Sequence, residues 1–386
     1  MKIFVLGGSG IVGRAVVKDL AAQKDVSKIV IGDLNVSKAK KFISQLKSKK
    51  VSVQYVDVSD HKKLVRAMKG FDVVGNCVYY GTLLDVTQAA IEAGVHIADL
   101  GGMFHMTKKQ MKFDGSAKKA GVTILPCCGS GPGLNNVLAR YGADKLDRVD
   151  EIHIRAGGVA PVPGSPPVKG PGMTIRTVLD EFAMNPIIYE NGKYKEVPPL
   201  SGREIVKFSE PIGEQPAYYS LHTEPLTLGM YIKGVKVVTL KVIFPDKEIE
   251  KINPLVEMGL AGTEPITWEG KKVTPRQVVD HILASREQRE EDQGREVCAT
   301  VLWVTGIKDG EPTKLTYEYW VEHEKEWGNT KTGVPFAVGL LMLGRGQITM
   351  RGFAAPEQCI NPIDFIKELK KRGFVFREIE ERIRVL

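Results

Sequence analysis

The sequence predicts an α/β protein that opens with a doubly wound parallel sheet and continues into an α+β region built on a largely antiparallel sheet. The opening run Lys2-Ile3-Phe4-Val5-Leu6 enters the turn Gly8-Ser9-Gly10-Ile11-Val12-Gly13 and leaves it as a helical pattern from Arg14 to Ala22. That is the strand–turn–helix order of a dinucleotide fingerprint. Apolar runs and helical patterns then alternate up to Leu125, which signals parallel strands with helices on both faces. After Pro126 the pattern shifts to β-rich runs and Pro-rich loops.

The elements follow in order. The second strand is Lys28 to Gly32, ending in Asp33, and Ser37 to Lys49 reads as a helix. Val51 to Val56 is a strand leading to Asp57-Val58, His61 to Met68 a short helix, and Phe71 to Asn76 the fourth strand. Leu83 to Ala93 is a helix closed by Gly94, a residue suited to the left-handed C-cap. Val95 to Asp99 is a fifth strand, Lys108 to Ala120 one further helix, and Val122 to Leu125 a sixth strand. The loop Cys127-Cys128-Gly129-Ser130-Gly131-Pro132-Gly133 precedes a helix from Leu134 to Lys145. A strand starts at Glu151, a Pro-rich loop spans Ala160 to Gly172, and a strand covers Gly234 to Phe244. Val297 to Lys308 pairs with Thr313 to Glu322 across Asp309-Gly310. The small-residue helix Phe336 to Leu343, the helix Ile363 to Lys371 and a final strand return to the first unit. The predicted boundaries are 1–128 with 334–386 for the dinucleotide-binding unit and 129–333 for the α+β unit.

At 386 residues the chain is long enough for two cores, and 43% hydrophobic with 26% charged residues is an ordinary soluble composition. No apolar run reaches the length of a membrane span and the first strand starts at once, so the expected setting is the cytoplasm. Five cysteines form neither a disulfide framework nor a metal-ligand spacing, so no metal is expected. The net charge of +8 comes from lysines scattered on helix faces without aromatic interleaving, which excludes nucleic acid as the expected partner.

The glycine turn is the first candidate site. Gly8 permits the tight turn, Gly10 lets backbone approach a pyrophosphate, and Gly13 lets helix and strand pack closely. The amides around Ser9, Ile11 and Val12 then face the phosphates. Asp33, about 20 positions beyond Gly13, stands where an acid takes the adenine-ribose hydroxyls, which favours NAD. Lys38 leaves room for NADP. Asp99 follows an apolar strand and precedes Leu100-Gly101-Gly102, so it either holds a protonated amine and takes a proton as a C–N bond is oxidised, or caps the loop. The Gly129 to Gly133 loop, with Asn135 and Asn136 behind it, either approaches the ligand or acts as a hinge. Cys127 and Cys128 read as small loop fillers. His222-Thr223-Glu224 offers an acid/base or carboxylate-binding histidine and an ammonium-binding glutamate, against the plain alternative of a hydrogen-bonded loop histidine. His96 alternates with apolar strand positions and reads as packing; His105 ranks beside it.

With Gly8 to Gly13, Asp33, Asp99 to Gly102, Gly129 to Gly133 and His222 to Glu224 in this order, the chain resembles the saccharopine dehydrogenase-like family, and within it amine dehydrogenases of the lysine 6-dehydrogenase type. Ala67 to Val74, Gly94 to Gly102, Ala120 to Pro126 and Ile187 to Lys193 share in the likeness. The resemblance implies a Rossmann domain with an inserted α+β catalytic and dimerisation domain, a homodimer, and a small amino-acid or amine substrate. It places Asp57 and Val58 beside the adenine and Asn76 near the nicotinamide ribose. The expected reaction is NAD-dependent oxidative deamination of lysine at its ε-amine. The alternatives are reductive condensation of an aldehyde with an amine, as in saccharopine- or carboxyspermidine-forming enzymes, and dinucleotide binding without turnover.

Overall fold

A computed structural model describes residues 1–165, 175–286, 294–324 and 327–383. Their elements run β1 (Lys2–Leu6), α1 (Ile11–Ala22), β2 (Lys28–Asp33), α2 (Val36–Leu46), β3 (Val51–Tyr55), α3 (His61–Met68), β4 (Val73–Asn76), α4 (Leu83–Ala93), β5 (His96–Asp99), α5 (Phe104–Gln110), α6 (Asp114–Lys119) and β6 (Thr123–Leu125). After α7 (Leu134–Ala143) come β7 (Arg148–Pro161), α8 (Ile175–Ala183), β8 (Ile187–Glu190), β9 (Lys193–Glu196), β10 (Glu204–Lys207), β11 (Glu214–Tyr219), α9 (Glu224–Tyr231) and β12 (Val237–Ile243). An excursion, α10 (Asp246–Glu257), β13 (Ile266–Trp268), β14 (Lys271–Val273) and α11 (Pro275–Arg286), precedes the long hairpin β15 (Arg295–Lys308) and β16 (Glu311–Glu324). The chain ends with α12 (Thr330–Gly344), β17 (Gly352–Phe353), α13 (Pro356–Cys359), α14 (Pro362–Lys370) and β18 (Val375–Arg382).

The first sheet is parallel throughout, in the order β17-β6-β5-β4-β1-β2-β3. Its central strands are buried on both faces: β1 and β2 expose only their ends. The order reverses between β1 and β4, so the carboxyl ends of those strands open the crevice in which such folds take ligands. The second sheet runs β10-β11-β12-β7-β15-β16-β18, with β8 and β9 attached beside β12. Only its β12–β7 pair is parallel. Asp309 and Gly310 both take positive φ, 52° and 80°, and so turn the β15–β16 hairpin.

α12 joins the two units. Its residues from Gly333 to Leu343 are buried all round, the signature of a helix enclosed by protein. A Cβ on Gly333 would lie 2.6 Å from the Ala15 Cβ and 2.9 Å from the Val12 carbonyl, so only glycine lets α12 approach α1 this closely.

Four expectations are corrected. The helix expected over Lys108 to Ala120 is two, broken at Met111–Phe113. The second is drawn to the sheet edge, where Asp114 Oδ1 accepts the Phe353 amide at 3.0 Å. The helix expected from Phe336 begins at Thr330, because Asn329 caps it by accepting the Thr332 amide at 3.0 Å. The final strand joins the second sheet rather than the first: β18 pairs with β16 from Trp320 to Thr313. The Pro-rich loop is strand up to Pro161, and its part from 166 on lies outside the described residues.

Candidate active site

The glycine turn sits at the C-terminal end of β1. Gly7 carries the left-handed φ of +69°, so it, rather than Gly8, makes the tight turn; Gly8 packs against Ile31 and Val17. The Gly10 amide donates to the Gly7 carbonyl at 3.0 Å, and no side chain caps the N-terminus of α1. The amides of Ile11, Val12 and Gly13 therefore lack intrahelical acceptors and carry the positive end of the helix dipole. A Cβ on Gly13 would fall 2.7 Å from the Gly8 Cα, whereas one on Gly10 meets only the Gly7 carbonyl, at 3.2 Å, with open space above. That opening fits a pyrophosphate. Asp33, at the end of β2, is fastened to the turn: its Oδ2 accepts from Ser9 Oγ at 2.6 Å and Ser9 N at 3.3 Å, and its Oδ1 accepts the Asn35 amide at 2.9 Å. Farther along the same edge Asp57 closes a local turn, accepting from the Ser59 amide and hydroxyl, which hold its carboxyl below the usual range. Val58 packs on the core beneath, and Asn76 is buried and accepts the Val78 amide at 3.2 Å.

Asp99 is fully buried. Its Oδ1 accepts the amides of Gly101 at 2.7 Å and Cys127 at 3.0 Å, and its Oδ2 accepts Gln110 Nε2 at 2.7 Å. Burial pushes its carboxyl up against the pull of those donors. Through these bonds Asp99 ties the loop after β5 to the loop after β6. Cys127 and Cys128 are buried, with thiols pushed up by burial, and act as loop fillers. His96 Nδ1 accepts the Thr123 amide at 3.0 Å, a packing role.

His222 and Glu224 lie in a buried polar chain within the second unit. Ser130 Oγ and Tyr319 OH are 2.8 Å apart, and the Tyr319 hydroxyl donates to Asn135 Oδ1 at 2.8 Å. Asn135 Nδ2 donates to Glu224 Oε1 at 3.0 Å. Glu224 Oε2 is 3.3 Å from His222 Nδ1, and His222 Nε2 is 3.5 Å from Glu181 Oε1, whose other oxygen accepts from Ser220 at 2.8 Å. Burial alone would discharge the imidazole, but Glu224 and Glu181 outweigh it and push His222 up to about 10. The ring retains 14% of its side-chain exposure while both glutamates are enclosed. The result is a proton held at one open point by two fixed anions.

Glu181, Tyr319 and Glu357 were not singled out from the sequence. Glu181 reads as one more acid on the amphipathic α8, and Tyr319 as one position of an alternating strand; only folding brings them to Glu224. Glu357 lies behind Glu224, fully enclosed, and burial outweighs the neighbouring Thr227 and Asn136 donors and pushes it up to about 7. Among the described residues no group of three His, Cys, Asp or Glu side chains could hold a metal, and no helix is long and apolar enough to cross a membrane.

Comparison with known proteins adds a family. The model of the saccharopine dehydrogenase NADP binding domain matches residues 3–125, and that of the saccharopine dehydrogenase C-terminal domain matches residues 129–374. The chain is 25% identical to carboxyaminopropylagmatine dehydrogenase of a Synechocystis species, over 98% of this chain and 97% of that one. It is 26% identical to carboxynorspermidine synthase of Vibrio cholerae, over 97% and 95%. Among solved structures it resembles saccharopine dehydrogenase (L-Glu forming) of Saccharomyces cerevisiae, with a TM-score of 0.73 at 18% identity, covering 98% of this chain and 99% of that one. Homospermidine synthase of Legionella pneumophila in complex with NAD gives a TM-score of 0.62 at 11% identity, covering 97% and 91%.

Proposed function

This chain belongs to the saccharopine dehydrogenase family of dinucleotide-dependent oxidoreductases, and we propose that it joins an aldehyde to an amine by reductive condensation. The aldehyde and the amine lose water to give an imine; addition of a hydride at its carbon and a proton at its nitrogen yields a secondary amine. Oxidative deamination of lysine, the first expectation, has less support, because two relatives matched along nearly their whole length are named for carboxyaminopropylagmatine and carboxynorspermidine.

The carrying observation is the slightly exposed imidazole of His222 between the enclosed Glu181 and Glu224. When bound, the nicotinamide dinucleotide supplies the hydride. The residues of the chain do the rest. The amides of the glycine turn bind the pyrophosphate, and Asp33 takes the adenine-ribose hydroxyls, which favours NAD over NADP. Glu224, enclosed behind the imidazole and held by Asn135, keeps His222 charged rather than meeting the substrate ammonium itself. His222 donates a proton to the departing hydroxyl of the carbinolamine, giving water and the imine. The apolar group of Met103, Phe104, Leu221 and Leu226 keeps bulk water from the flank of the site. The working form in this reading is a cytoplasmic homodimer, a state that sedimentation velocity tests directly.

The test is a cofactor-absorbance assay on purified protein. We expect NADH oxidation only when an aldehyde and a diamine are both present. Reduction of NAD on lysine alone, without any condensation, overturns the reading.

A further inference from the structure

Asp180, Arg276 and Tyr80 form a second buried polar group that meets α8 one residue away from Glu181. Asp180 is 5% and Arg276 6% exposed. Arg276 Nη1 lies 2.8 Å from Asp180 Oδ1 and also donates to the Arg176 carbonyl at 3.0 Å. One guanidinium thus grips α8 at two levels a turn apart. Its Nη2 donates to the Ala261 carbonyl at 3.0 Å, and the Arg276 amide to the Gly262 carbonyl at 3.0 Å, which fastens α11 to the loop after α10. From the opposite side, the Tyr80 hydroxyl of the first unit donates to Asp180 Oδ2. Tyr80 follows β4 at the crevice and backs onto the loop after β5: a Cβ on Gly102 would lie 2.8 Å from the Tyr80 Cβ.

We propose that Asp180, Arg276 and Tyr80 are positioning residues that set the rotation of α8 and so keep Glu181 against His222. The inference rests on the proton-donor reading of His222 for its consequence in turnover, though not for its structural test. Consecutive residues on a helix point about 100° apart, so a carboxylate fixed at 180 determines where the carboxylate at 181 projects. His222 is 3.5 Å from Glu181, already at the outer limit of useful contact, so a small rotation removes it. The groups that charge the ring are Glu181 from α8 and Glu224 from the start of α9, and Glu357 of α13 and Cys127 each lie within electrostatic reach of Glu224.

The test follows the His222 imidazole by NMR pH titration of the full chain in Asp180→Asn and Tyr80→Phe. Tyr80→Phe leaves the ion pair to Arg276 intact, so it reports even if Asp180→Asn does not fold. We expect the titration midpoint of His222 to drop by about one pH unit or more in Asp180→Asn and by less in Tyr80→Phe. That corresponds to roughly a tenfold weakening of the hold on the proton. The basic limb of the pH profile of kcat/KM should shift by the same amount. A midpoint unchanged in every variant that folds overturns the inference. His222→Gln separates the two readings: full turnover in that variant sinks the proton-donor role, whereas the titration still decides whether the three residues position Glu181.

Discussion

His222 illustrates how one residue acquires chemistry from its neighbours. An isolated imidazole titrates near 6.5, and the two glutamates hold this one protonated up to about 10. A raised histidine contributes stability that is complete below about pH 6.5 and lost as pH rises towards 10. The melting temperature of the wild type should therefore fall more steeply over that range than that of His222→Gln, which calorimetry at successive pH values can check. The same variant should lose about a hundredfold or more in kcat/KM at neutral pH if the ring is the proton donor. Glu357 follows the same sign over a lower pH range, although here it is the neutral form that the fold favours. Its carboxyl is raised to about 7, so the stability it confers is present below about pH 4.5 and lost as pH rises through 7. Urea denaturation should find Glu357→Gln more stable than the wild type at pH 8, by up to about 3 kcal/mol, with the gap closing towards pH 5. Equal stability at both pH values would contradict a carboxyl raised by burial.

At the scale of elements, the glycine turn separates binding from folding. Gly10→Ala places a methyl group in the open space above the turn, where only the Gly7 carbonyl is near. It should leave the melting temperature almost unchanged while weakening NADH binding at least tenfold, about 1.4 kcal/mol. Gly13→Ala drives a methyl group into the backbone of the turn itself and should lower both cofactor affinity and thermal stability. Fluorescence titration with NADH beside thermal melts distinguishes the two; matching losses in both variants would mean that Gly10 faces protein rather than ligand. The helices around this turn were legible because local signals agree: Gly94 adopts the left-handed C-cap expected of it, with φ of 69°. The break between α5 and α6 was not legible, since it depends on an edge strand far along the chain.

At the scale of the whole molecule, the second unit supports the cofactor turn. The Asn329 amide donates to the Ile11 carbonyl at 2.8 Å, and a Cβ on Gly328, whose φ is +87°, would overlap that same carbonyl. Gly328→Ala should thus displace the first turn of α1 and raise the dissociation constant for NADH several-fold, although it lies in the connection from β16 to α12. Isothermal titration of the folded variant measures this, and an unchanged constant would show that α1 is set by the first unit alone.

The sequence by itself determined the parallel sheet, the glycine turn, Asp33 and the long hairpin at Asp309-Gly310. Each rests on periodicity or backbone conformation, which short stretches of residues encode. It also marked His222 and Glu224 as a pair worth attention. Tertiary structure alone decided that Asp99 binds loops together, that Glu181 completes the charge around His222, that Tyr80 meets Asp180, and that β18 closes the second sheet. Those outcomes depend on which buried donors and charges face one another across distant segments. Desolvation makes such pairings decisive once the chain is folded, and it leaves no periodic trace in the sequence.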